Sequence, residues 1–144
     1  MSGLKFQLDS YRFKHIEANA ISSEPDENQM IEVRFEIGIN DDNFSSGNFT
    51  VGLKLFLSAI KKDQEREDLL LSEAQGEYSF IEGIDPYEIT NDLERLLAST
   101  MLYSALRPTL DSIVGNIGLR GLTMPLNLPL GKDGKLPNMS EKEN

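Results

Sequence analysis

The residue types that do most protein chemistry are scarce in this chain. It has 144 residues, no cysteine and a single histidine, His15. Disulfides and thiolate chemistry are therefore excluded. A metal site would need ligands converging on one point, and only His15 and carboxylates are available to supply them. Two acidic clusters, "DEN" at 26–28 and "NDDN" at 40–43, offer oxygen ligands. Neither has the spaced ligands of a calcium loop, and both read as turns. The glycine pairs in "GLRG" (118–121) and "GKDGK" (131–135) lack the strand-to-helix setting of a phosphate cradle. No nucleophile-elbow motif is present either. His15 reads as a strand histidine. The sequence thus gives no catalytic residue, no metal site and no cofactor, and the expectation is a protein that is not an enzyme.

The charge narrows the choice of partner. The formal net charge is −10, from 24 acidic and 14 basic residues. Nucleic-acid binding needs clustered Lys and Arg, so it is not expected. The same balance disfavours an anionic membrane surface. No run is long enough for a membrane span, and the N-terminal residues do not form a signal sequence. A cytoplasmic protein without membrane insertion is expected. Hydrophobic residues make up 39% of the chain, which suits a modest core and an oligomer.

Four segments alternate as strands do. The first runs from Leu4 through Phe13, with a parity change near Asp9 and Ser10 that predicts a bulge. After a polar loop, Ser22–Gln29, "MIEVRFEIGI" puts Ile31, Val33, Phe35, Ile37 and Ile39 on one face. Phe49 to Ala59 forms a third strand, and the stretch from Leu69 a fourth. Short polar connections between them read as an antiparallel sheet. After "GIDP" the period becomes helical, with Leu93, Leu96, Leu97, Met101 and Leu102 at helical spacing and Thr90 or Asn91 as cap. Pro108 fits the first turn of a second helix with the stripe Leu110, Ile113, Val114 and Ile117. Gly121 is its expected left-handed stop. Gly115 and Gly118 cost about 1 kcal/mol each inside a helix relative to Ala, which points to close approach of another backbone. A proline-stiffened apolar strip, Leu122–Leu130, follows. Residues 132–144 read as a polar tail.

In this order the segments resemble the SecB family of protein-export chaperones. Family members carry a helix that begins at a proline and ends "RG", followed by a strip such as "FPxLNLxP". The counterparts here are Arg107-Pro108, Arg120-Gly121, Met124-Pro125 and Leu126-Asn127-Leu128-Pro129. "FQL" at 6–8 resembles the start of the first strand, and "QGEYSFIEGI" at 75–84 a family segment at the end of the fourth. The resemblance covers residues 4–131. It implies an α+β fold, a four-stranded antiparallel sheet with helices packed at one side, in one SecB-like domain (1–131). It also implies an ATP-independent holdase that forms a homo-oligomer, dimer or tetramer, and binds unfolded or partly folded polypeptides in apolar grooves. The client-groove residues implied are Phe35, Ile37, Leu69, Leu71, Tyr87, Leu122, Met124 and Leu126. Oligomer contacts are implied for Leu110, Ile113, Val114, Gly115, Ile117 and Gly118. The family docks on the SecA motor through acidic residues of the first and fourth strands. The matching positions, His15, Asn19 and Ser72, have lost their carboxylates while Leu70 stays apolar, which implies weak or absent SecA docking. Service to protein export is one implied role. The alternative is a dedicated partner-binding protein, such as a chaperone for one antitoxin.

Overall fold

The computed structural model describes residues 4–20, 30–42, 44–60, 65–119 and 124. Four strands come first: β1 (Phe6–Ala18), β2 (Met30–Asn40), β3 (Asn48–Ile60) and β4 (Arg66–Phe80). A single helix, α1 (Asp92–Asn116), follows. All pairings are antiparallel, and the spatial order is β1-β4-β3-β2. The hairpins β2–β3 and β3–β4 join sequence neighbours. β1 instead pairs with β4, so the sheet has a Greek-key order.

Alternation decides which face becomes core. On β2 and β3, Phe35, Ile37, Ile39, Val51, Leu53, Leu55 and Leu57 are buried beneath α1. On β4, Leu70, Ser72, Ala74, Gly76 and Tyr78 share that face. The opposite face carries Glu32, Arg34, Glu36, Lys54, Glu73 and Glu77. β1 slips register twice, between Leu8 and Ser10 and between Phe13 and His15. The first slip falls where the change of parity predicts it. A third irregularity, opposite Leu57 and Ser58, turns both Leu69 and Leu70 into the interior.

One glycine sets how near α1 comes to the sheet. A Cβ on Gly76 would stand 2.9 Å from Leu8 Cδ1, 3.0 Å from Tyr78 Cε1 and 3.1 Å from Leu102 Cδ1. The bare backbone there lets Leu102 settle on the sheet. Beside it, the Tyr78 hydroxyl donates to the Ala98 carbonyl and ties β4 to α1. Burial pushes that phenol's pKa well above its usual value.

The helix corrects three expectations. It is one continuous element, not two. Pro108 lies inside it, on the exposed side. The carbonyl that loses its donor there belongs to Ser104, which is also exposed and so open to solvent, and the break is not enforced. Second, the helix ends before Gly121. Ile117 is the C-cap, and Gly118 follows at φ +101°. Gly118 N donates to Gly115 O at 3.3 Å and Leu119 N to Val114 O at 3.2 Å, the pair of bonds that defines a Schellman stop. Gly118 is thus required by backbone handedness and needs no close neighbour. Third, the inward stripe is Ala98, Leu102, Leu106, Leu110 and Val114. Leu93 and Leu97 point outward, 72% and 36% exposed.

The helix start is as the sequence indicates. Asn91 Oδ1 accepts from Leu93 N at 2.8 Å and Glu94 N at 3.2 Å, and Asp92 and Glu94 suit the positive first turn.

Candidate functional site

Three regions of the molecule bear on binding. The first is the approach to α1. Buried Asp41, in the turn after β2, accepts a hydrogen bond from Ile89 N at 2.7 Å. That bond fixes the 81–91 segment against the sheet. Tyr87 on this segment is half-buried and packs on Phe80, with ring centroids 5.0 Å apart. Its hydroxyl donates to Glu94 Oε2, and Lys5 Nζ lies 5.8 Å from its ring centre. Desolvation and the Glu94 carboxylate together raise its pKa. Tyr87 therefore presents a held aromatic face between β1 and the start of α1.

The second region is the flank of α1. Arg107 Nε donates to the Met124 carbonyl oxygen at 3.2 Å, and Met124 N donates to Asp111 Oδ1 at 2.7 Å. The Met124 side chain is 2% exposed and belongs to the core. Nearby Tyr103 stacks edge-on against Phe35 at 5.4 Å. Burial raises its phenol to about 12; the Arg107 charge opposes that shift and Asp111 adds to it.

The third is the outer face of the sheet. A shallow concavity of about 210 Å³ is lined by Glu17, Asn19, Arg34, Phe56, Ser58, Asp68 and Leu71, and inward-facing Leu70 borders it as well. The Arg34 guanidinium covers the Phe56 ring at 4.5 Å, and Ser58 Oγ donates to Asp68 Oδ1 at 3.1 Å. Its mixture of an aromatic floor and charged rim suits a side chain with both apolar and polar parts.

The sequence-derived groove residues do not share one surface. Phe35, Ile37 and Leu69 are in the core beneath α1, at most 2% exposed. Leu71 looks out from the opposite face, across from Glu17 and Phe56. Tyr87 lies near the helix start, and Leu122 and Leu126 are outside the described residues. Of the residues assigned to assembly, Leu110, Val114 and Ile117 pack inside their own protomer and Ile113 is half-buried. Gly115 is exposed, and a Cβ placed on it meets nothing within 4 Å. His15 is exposed on β1 and Asn19 just past its end, whereas Ser72 is 1% and Leu70 3% exposed on the side of β4 that α1 covers. The outward residues of that stretch are Leu71 and Glu73, and Glu73 is paired with His15. Parity on β4 decides this: from Leu70 to Ser79 the pairing with β3 is unbroken, so Ser72 shares the side of Ala74 and Tyr78.

Asp111, Arg34 and Asp68 are not marked by the sequence, and Arg107 is marked only as the neighbour of Pro108. Arg107 and Asp111 sit four apart, a spacing common on any helix, and only the chain's return at Met124 gives them a shared partner. Among the described residues no three His, Asp or Glu side chains gather as metal ligands. No described helix is long and apolar enough to cross a membrane.

No protein-family model matches the sequence, and no curated protein matches it significantly. Among solved structures the chain is similar to the Mycobacterium tuberculosis SecB-like chaperone Rv1957 in complex with a ChAD peptide from the Rv1956 HigA1 antitoxin. The TM-score is 0.62 at 18% identity, over 84% of this chain and 89% of that one. A four-stranded antiparallel sheet in this order, with one helix laid on one side, is the SecB-like fold, and this chain has it.

Proposed function

We propose that the protein is a SecB-like chaperone that holds non-native polypeptide without nucleotide. The observation that carries this reading is the fold, matched over most of both chains to a chaperone bound to a peptide. The lack of any catalytic constellation in the sequence is consistent with it. Extended chain is a suitable ligand because main-chain and apolar contacts are nearly blind to sequence. Tyr87 and Leu71 supply aromatic and aliphatic surface for it.

A second reading, one dedicated partner of the antitoxin kind, is favoured by the partner present in the neighbouring structure. The loss of acidic character at His15 and Asn19 also favours it over a role in export, since it weakens any docking on SecA. Ser72 drops out of that argument because it faces inward.

Assembly fits the outer side of α1. Leu93, Leu97 and Gly115 form an apolar and open stripe there, and a second copy of the chain is its occupant in this reading.

The test is binding of several unrelated, permanently unfolded chains, together with suppression of aggregation of a refolding client. Similar micromolar affinities for all of them support a general holdase. Tight binding of one antitoxin-type peptide, with weak binding of the rest, supports the dedicated form. No binding and no protection would remove both.

A further inference from the structure

The hydrogen bonds to Met124 imply how one residue of a bound chain is read. Arg107 and Asp111 stand at i and i+4 on α1, so their side chains leave the helix as neighbours on one side. One donates to the carbonyl of Met124 and the other accepts from its N–H, at 3.2 and 2.7 Å. In extended backbone the N–H and C=O of a single residue point the same way, which is why a strand residue exchanges both bonds with one partner. A donor and an acceptor at this spacing therefore grip one residue by its main chain alone. The side chain of that residue enters a closed apolar socket, and Met124 is 2% exposed in it.

We propose that Arg107 and Asp111 form a main-chain clamp for one apolar residue of a bound polypeptide, and that Met124 fills the clamp in the free protein as an internal competitor. The proposal rests on the polypeptide-binding reading above. Two properties of the clamp match that ligand. It demands nothing of the side chain beyond apolar character, and an unbranched methionine is the least shape-specific occupant. It also demands an N–H, so proline at the gripped residue is rejected. A tethered competitor at an effective concentration of about millimolar sets a threshold that weakly apolar segments do not pass.

The experiment follows Met124 in the unaltered protein. With ¹³C-methyl methionine, the Met124 resonance is assigned by its absence in Met124→Leu. A reduced and alkylated unfolded chain is then titrated in. The expected result is a shift of the Met124 methyl to an exposed-methionine position and loss of amide-exchange protection at Met124. In parallel, Met124→Gly empties the apolar socket and so weakens the internal competitor, although the glycine main chain still reaches the clamp. It should bind the same chain roughly ten- to a hundredfold more tightly, and adding Asp111→Ala should abolish the gain. If Met124 stays protected at saturating client, the clamp is purely structural and the proposal is overturned, while polypeptide binding stands. If neither protein binds the unfolded chain, the functional reading falls, and the clamp with it. Should Met124→Gly fail to fold, the wild-type resonance decides alone.

Discussion

The two long sides of α1 are built to different rules. Toward the sheet, every turn places a residue with no exposed surface: Ala98, Leu102, Leu106, Leu110, Val114. Toward solvent, the same helix carries Leu93, Leu97, Ser104, Pro108 and Gly115. The inner side is filled by shape, with a glycine beneath it at Gly76. The outer side holds two leucines, a proline tolerated for want of a neighbour, and a glycine with open space around it. The difference teaches that the apolar content of a helix does not identify its core face. Both sides of α1 are apolar near its start, and among the described residues only one has something to pack against.

Three measurements sharpen or break this contrast. The largest effect is expected from Leu106→Ala. It removes a fully buried side chain between α1 and the sheet, so stability should fall by about 2–5 kcal/mol in urea unfolding. A loss under 1 kcal/mol would show that the inner side is not close-packed. Next is alkali. The Tyr78 and Tyr103 phenols lie at the inner side, and burial raises both pKa values above the unfolded value of 10.0. A raised folded pKa means that the stabilisation is complete below pH 10 and is lost as pH climbs above it. With Tyr11→Phe and Tyr87→Phe in place, so that only these two phenols report, tyrosine absorbance at 295 nm should therefore rise cooperatively with unfolding. Gradual ionisation in a still-folded protein would contradict the burial. The smallest effect on the protomer is expected from Leu93→Ser with Leu97→Ser. Stability measured in dilute solution should change by only about 0.5 kcal/mol, while light scattering should report a lower assembly mass. An unchanged mass would remove the outer stripe from any interface.

Much of the fold was legible because a period of two leaves little freedom once one face is buried. Phe35, Ile37 and Ile39, and Phe49, Val51, Leu53, Leu55 and Leu57, are inward as their alternation requires. The cap at Asn91 is legible too, because its side chain has a local job. What was not legible depended on pairing. The β1-β4 pairing and the irregularity that buries Leu69 beside Leu70 depend on partner strands, and no local pattern marks either. Pro108 shows the same limit. A proline is a strong local signal for a helix start, yet here its side of α1 is free and the helix continues. Gly118 has a different duty from the one its helical setting suggests: its positive φ closes the helix, whereas the close approach belongs to Gly76. The client-groove residues were the least legible part, because a groove is a relation between elements and the named residues fall on both faces of the sheet.

The Greek-key order also has a consequence for how the chain reaches this state. β2, β3 and β4 meet through neighbouring hairpins, whereas β1 must find β4 across the whole of β2 and β3. Closing that longer loop costs more entropy before any pairing repays it. The first strand to leave the ribosome is therefore the last to gain its partner. Until Tyr78 is made, Phe6 has no ring to lie against on β4. During synthesis the nascent protein passes through an interval in which its own first strand is an unpaired, partly apolar segment.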